Sequence, residues 1–280
     1  MRRKLLRAAL GVCAVAGLFP ASAAAIQGGT IAGPDEFTNV AVLRFIDVDG
    51  DDRWRCSGTL VAPNVIITAA HCTEGAELVY YSFAAQRPTV EPDAPNATGW
   101  TLGGSNLDGE QNIFTDPDWN GDLQNQSLDD IGIVILDAPV TDIPVATIAP
   151  EVDMLEDLPR GTLFTLAGYG VSYVKPADPP RKPEVFAGLF RSWTTAPLAN
   201  VTSDTIVLQS NPNDKRGGGG TCSGDSGGPA FLEENVIVGV TSWGGSQFCK
   251  AGATGFQRLD TEDAREFWEP LLALAAERLA

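Results

Sequence analysis

The sequence predicts an all-β protein of barrels or sandwiches in two strand-rich halves, followed by one C-terminal α-helix. Three observations carry this. Short apolar runs bounded by turn residues recur along the chain: "NVAVLRFIDV", "GTLVAPNVIITAA", "IGIVILDAPV", "TLFTLAGYGV", "DTIVLQS" and "ENVIVGVTSWG". Their length and their Val, Ile, Thr and aromatic content suit strands better than helices, and many such runs build barrels or sandwiches. A proline-bearing acidic stretch from about Ile143 to Arg160 divides the runs into two halves. Only the last segment, "DTEDAREFWEPLLALAAERLA", reads as a helix: Asp260 or Thr261 can cap it, acids follow in the first turn, and Phe267, Leu271 and Leu274 share a face. Pro270 should kink this helix or mark its end, because its ring removes a backbone hydrogen bond.

The elements before the first strand have a different character. Residues 1–25, "MRRKLLRAALGVCAVAGLFPASAAA", begin with Arg2, Arg3, Lys4 and Arg7, continue with an apolar run from Ala8 to Phe19, and end in small residues. This is the layout of a secretory signal peptide cleaved after Ala25. A membrane span needs about 20 apolar residues and this run is shorter, so the expectation is a secreted protein, extracellular or periplasmic, with no membrane attachment after cleavage. Using "LGVC", Leu10 to Cys13, as a lipid-attachment box would cut the apolar run in half. The whole chain has 19 basic and 36 acidic residues, a formal net charge of −17; removing the leader leaves 15 basic residues against 36 acidic, or −21. Nucleic acid is thereby excluded as a partner, because its phosphates would be repelled.

Between the strands, "DVDGDD", Asp47 to Asp52, reads as a hairpin turn. Its acid density resembles a calcium loop, but the full twelve-residue pattern with a distal glutamate is missing. The stretches at about 86–112 and 174–186 are polar and rich in Pro, Gly or Asn, and read as surface loops. Four cysteines remain once Cys13 is removed: Cys56 and Cys72, then Cys222 and Cys249. Export favours their pairing, and of three possible connectivities the one within each half is favoured, worth about 3 to 4 kcal/mol per loop on the chain-entropy estimate. With no CxxC and a single histidine, the sequence calls for neither metal nor cofactor.

The chemistry lies in three places. "TCSGDSGGPAF", Thr221 to Phe231, sets Ser226 between an aspartate and two glycines; the only histidine, His71, stands in "IITAAHC"; and "SLDDIGIVIL" offers Asp130 or Asp129 at the mouth of an apolar strand. A serine hydroxyl needs a base to become a nucleophile, histidine is the base suited to neutral water, and the base needs a carboxylate to fix its tautomer. In the order "TAAHC", "DIGIVIL", "GDSGGP", these motifs resemble the chymotrypsin-like (trypsin-fold) serine endopeptidases. "IQGGT", "CSGTLVAPNVIITAAHC", "FTDPDWN", "LAGYG" and "TSWGG" extend the likeness over the chain from Ile26.

The resemblance implies two six-stranded antiparallel β-barrels packed around a cleft, with one peptidase domain over 26–280: a first barrel at about 26–145, a crossing at 146–160, a second barrel at 161–259 and a C-terminal helix at 261–280. It implies Ser226 as nucleophile, His71 as general base and acid, and Asp130, the acid heading the apolar run, as the group orienting His71. It assigns the oxyanion hole to the N–H groups of Gly224 and Ser226, and an ion pair to Asp225 and the ammonium of Ile26 after cleavage. It places substrate on Ser242, Trp243 and Gly244, with Gly220 at the pocket base and Thr254 on a wall. Because Gly220 carries no counter-charge for Lys or Arg, the expected preference is a small or medium uncharged residue before the scissile bond. The expected partners are polypeptide substrates and proteinaceous inhibitors. The basic leader and sparse disulfides point to a bacterial source. The alternative is a catalytically silent binding module on the same fold. An esterase of the GxSxG type needs its histidine after the serine, and none follows Ser226.

Overall fold

The computed structural model describes residues 26, 28–50, 53–107, 109–121, 129–174, 184–186, 188–211, 219–244, 249 and 252–280. The expected signal peptide and the Cys13 lipid box lie outside them.

After a two-residue strand β1 (Thr30–Ile31), the first half runs through β2 (Val40–Ile46), β3 (Arg53–Ala62), β4 (Val65–Thr68), a one-turn helix α1 (Ala70–Thr73), β5 (Leu78–Ser82), β6 (Thr101–Ser105), β7 (Ile113–Thr115) and β8 (Gly132–Ile135). These form one antiparallel sheet in the order β6-β5-β2-β3-β4-β8-β7. It curls until the Asp137 N–H reaches the Gly103 carbonyl (3.0 Å), nearly closing a barrel. In the β2–β3 turn the Gly50 N–H bonds the Asp47 carbonyl, with Gly50 in the left-handed region at φ 76°. Asp51 and Asp52 lie outside the described residues.

The second half follows with β9 (Thr147–Ile148), β10 (Leu163–Gly168), β11 (Ser172–Val174), β12 (Glu184–Phe186), β13 (Ser192–Val201), β14 (Thr205–Ser210), β15 (Pro229–Glu233), β16 (Val236–Gly244), β17 (Gly252–Arg258) and α2 (Glu262–Arg278). The strands β10, β15, β16, β17, β14 and β13 pair antiparallel in a closed six-membered ring. The short β1 adds to the outside of β13, and β9 adds parallel to β16. The fold is therefore mostly β, with two barrels and a C-terminal helix.

The first barrel's strands are apolar on both faces for a reason visible in their period of two. Ala41, Leu43 and Phe45 of β2, Ile66 of β4 and Val134 of β8 fill the barrel. Their alternating neighbours Val40, Val42, Val65, Ile67, Ile133 and Ile135 face the other way, into a core shared with Phe164, Leu166, Phe231, Val240 and Trp268 of the second half. A continuous apolar run is what a strand buried on both faces requires.

Three local readings are revised. The stretch at 86–112 contains β6; its Gly103 and Gly104 suggested a loop, but a Cβ on Gly104 would lie 2.8 Å from Asn112, so the glycine permits close packing. Within 174–186, Glu184–Phe186 pairs with Ser172–Val174 as a hairpin. Helix α2 continues through Pro270, which is exposed, as is Glu266, whose carbonyl the missing N–H would have served, so water can satisfy it. Thr261 caps this helix by accepting from the Ala264 N–H, while Asp260 is engaged in a bidentate ion pair with buried Arg258 (2.9 and 3.0 Å). The most buried stripe of α2 is Ala264, Trp268 and Ala275, flanked by Phe267, Leu271 and Leu274.

Candidate active site

His71 stands on α1, immediately after β4 delivers the chain to the space between the two halves. The side chain of Asp130, fully buried just before β8, holds it at two points: the His71 backbone N–H donates to Oδ1 (2.9 Å), and the ring Nδ1 pairs with Oδ2 (2.8 Å). Asp129 takes φ 68°, and its carbonyl accepts from the Ile131 N–H. This tight reversal presents consecutive side chains differently. Asp130 meets His71, while the Asp129 carboxyl is raised by burial and by the nearby charges of Asp118, Asp204 and Asp263. The Trp119 ring lies 6.3 Å from the imidazole, and its Nε1–H donates to Glu74.

A disulfide joins Cys56 to Cys72 beside His71, and a second joins Cys222 to Cys249 in the other half. The sulfurs of Cys56 and Cys72 and one ring nitrogen of His71 lie within 4.8 Å of one another, the spacing of a metal site. Because the sulfurs are bonded to each other they offer no thiolate.

The loop carrying Ser226 is fixed through its backbone. The Ser57 N–H donates to the Ser226 carbonyl (2.8 Å), and the Ser57 hydroxyl donates to the Gly224 carbonyl (2.9 Å) while accepting from the Tyr169 N–H. Gly224 and Gly227 have φ 94° and 74°, left-handed values that favour glycine. Among the described residues, neither the Gly224 nor the Ser226 N–H donates to an acceptor, and no hydrogen bond joins the Ser226 hydroxyl to His71. Asp225, fully buried, accepts from the Gly170 N–H (2.7 Å) and the Cys222 N–H (2.9 Å). Burial pushes its carboxyl up to about 7, against these bonds and the charge of Arg55. Ile26 is also buried, 1% exposed, within the shared core.

Around the expected pocket, Gly220 is packed against the Ser210 side chain, leaving no room for a Cβ. Gly244 is exposed with open space about it, and lies directly opposite buried Thr254 across the β16–β17 pairing. The Trp243 ring lies over Gly255. The Ser242 hydroxyl and Trp243 Nε1 are buried without hydrogen-bond partners among the described residues. The segments 212–218 and 245–248, next to these residues, lie outside the described ones.

Sequence reasoning missed Arg55, Ser57, Trp119 and Ser210. Ser57 sits inside the quoted "CSGT", but nothing local signals that its hydroxyl bridges to a loop some 170 residues on.

A model of the Trypsin family matches residues 26–261. Brachyurin of Leptuca pugilator is 32% identical over 231 residues, covering 81% of this chain and 90% of that protein. A trypsin of Saccharopolyspora erythraea is 28% identical over 200 residues, covering 70% and 78%. Among solved structures, one described as HL collagenase superposes with a TM-score of 0.65 at 20% identity, over 89% of this chain and 98% of that one, a likeness of fold. Further relatives come from insects and mouse, so the comparisons lend no support to a bacterial source. The family match, a relative above 30% identity and the shared fold agree: the chain belongs to the trypsin family of chymotrypsin-like serine endopeptidases.

Proposed function

We propose that this protein is a secreted endopeptidase that cleaves polypeptides through an acyl-enzyme on Ser226. The observation that carries the reading is the two-point hold of Asp130 on His71, which fixes both the position and the tautomer of the imidazole. With Nδ1 engaged, Nε2 is the nitrogen left to take the Ser226 proton. Ser226 Oγ attacks the scissile carbonyl, and the oxygen that gains charge is received by the Gly224 and Ser226 N–H groups, each worth about 3 to 4 kcal/mol in comparable sites. His71 returns the proton to the leaving amine; water then attacks the acyl-enzyme with His71 again as base.

Two further roles belong to the proposal. Cleavage after Ala25 would turn the Ile26 amide into an ammonium, and pairing with Asp225 would offset the cost of a buried carboxylate. Gly220, backed by the Ser210 side chain and not by an acid, with Gly244 and Thr254 as walls and Ser242 and Trp243 along the acyl side, favours a small or medium uncharged residue before the scissile bond. Proteinaceous inhibitors that present such a residue would bind the same cleft.

The test uses protein beginning at Ile26, a serine-reactive fluorophosphonate probe and a peptide library, with Ser226→Ala alongside. Labelling and cleavage by the parent alone, after small or medium uncharged residues, is the expected result. Cleavage after Lys or Arg would overturn the pocket and leave the mechanism. Neither labelling nor cleavage from folded protein would favour the silent binding module.

A further inference from the structure

The first half of the site carries a charge pattern at odds with the rest of the chain. In a protein with 36 acidic and 19 basic residues, Arg44, Arg55 and Arg87 line one cavity of about 270 Å³ together with Glu91 and Trp100. Arg55 of β3 lies directly opposite Arg44 of β2 in the strand register, an arrangement of like charges that destabilises a sheet. The carboxylate in the lining, Glu91, is bound to Arg44 (2.7 Å). Arg87 donates its Nε–H to the Gly188 carbonyl (2.6 Å) and Nη1 to the Pro88 carbonyl (3.1 Å). Arg55 has no such outlet: its Nε is buried and finds no acceptor among the described residues. A buried donor left unmade costs about 1 to 3 kcal/mol. Burial, then the nearby Arg87 charge, lower the Arg55 pKa, with Asp225 opposing them. The Arg55 charge favours the buried Asp225 carboxylate, but the Arg55 Nε stays without an acceptor among the described residues, and a ligand carboxylate would satisfy it.

The position indicates which ligand. The Arg55 guanidinium lies against Gly224: a Cβ built there would stand 3.0 Å from Nη2 and 3.1 Å from Nε. Gly224 is one of the two donors assigned to the oxyanion. The acyl side of the substrate is assigned to Gly220 and Ser242–Gly244 of the second half; on that reading the leaving side falls to the first half, where β3 carries Arg55 next to Cys56 of the Cys56–Cys72 disulfide. Resting on the endopeptidase reading above, we infer that Arg55, supported by Arg87 and Arg44, forms a carboxylate-binding subsite on the leaving-group side, selecting substrates with Asp or Glu at the first or second position after the scissile bond. A guanidinium suits this role because its planar fork binds a carboxylate bidentately.

The experiment compares internally quenched peptides that share one acyl side and carry Asp, Asn or Lys at the first or second leaving-side position, cleaved by protein beginning at Ile26. Asp should exceed Asn in kcat/KM by roughly tenfold, as a charge-assisted bond in a partly buried site allows, with Lys poorest and the preference shrinking at high salt. Arg55→Gln should bring the Asp-to-Asn ratio toward one, and Arg55→Lys should restore part of it. A purely structural role for Arg55 beside Asp225 would instead scale every peptide alike. Equal cleavage of Asp and Asn peptides by the parent, or an unchanged ratio in Arg55→Gln, overturns the subsite. If Arg55→Gln does not fold, the parent ratio and Arg55→Lys still decide. Failure to cleave any peptide, with no labelling of Ser226, would overturn the endopeptidase reading and the subsite with it; cleavage without acidic preference overturns the subsite alone.

Discussion

Asp130 and Asp225 are both fully buried acids, one at the edge of each half of the site, and their surroundings differ. Asp130 is met by a backbone N–H and an imidazole. Asp225 receives two backbone N–H groups, yet burial raises its carboxyl to about 7. The first acid has its partner supplied by the neighbouring strand and helix of its own barrel. The second sits where two neutral hydrogen bonds and the nearby Arg55 charge fall short of the desolvation cost. The contrast teaches that one acid meets a side-chain partner within the fold, whereas for the other the proposed pairing with Ile26 supplies one through a new chain end.

The largest effect that could break this contrast is on Asp130. Asp130→Asn keeps the volume but removes the charge and favours the wrong His71 tautomer, so kcat on a peptide substrate should fall by about 10⁴-fold. Activity near the parent level would mean that the two-point contact does not serve catalysis.

The next comparison concerns Asp225 and sets a chain beginning at Ala25 beside one beginning at Ile26, both as Ser226→Ala. In the longer chain the folded pKa, about 7, lies above the ordinary 3.8. The folded state then binds the proton more tightly, so this group lowers stability as pH rises from about 4 to about 7. In the shorter chain the Ile26 ammonium should hold Asp225 ionised and diminish that loss. Denaturant midpoints at pH 5 and pH 8 read the difference; identical pH profiles would deny the ion pair.

Each region also has its own staple. Cys56 and Cys72 are 16 residues apart and Cys222 and Cys249 are 27 apart, so replacing either pair with alanines should cost about 3 to 4 kcal/mol, slightly more for the longer loop. Denaturant unfolding measures both. Kinetics should separate them, since the first pair adjoins His71 while Cys222 donates its N–H to Asp225.

The smallest effect serves as a control. Thr261→Ala removes the α2 cap, away from both acids, and should cost about 1 kcal/mol without altering the pH difference between the two chain lengths. A change in that difference would show that stability alone drives it.

Much of this was legible in order along the chain. The turn at Asp129 and Asp130 precedes an apolar strand, and an acid followed by a continuous apolar run is a local pattern. The glycines around Ser226 report left-handed backbone, another local property. Less legible was β6, because Gly103 and Gly104 serve packing against other strands, and α2 beyond Pro270, because the lost hydrogen bond faces solvent. Trp268 was overlooked as the centre of the helix contact, since helical spacing alone does not say which stripe faces the core.

By itself the sequence determined the strand content, the capped terminal helix, the three motifs around His71, Asp130 and Ser226 and the acidic balance, because these depend on residue type, short spacing and composition. Only the tertiary structure decided that Ser57 clamps the Gly224 peptide, that Ser210 closes the space behind Gly220, and that the Arg55 guanidinium lies against Gly224 with its Nε lacking an acceptor among the described residues. Those contacts join residues far apart in the chain, brought together when the strands of both barrels pack on one core, and no local pattern encodes which distant atom a buried side chain will meet.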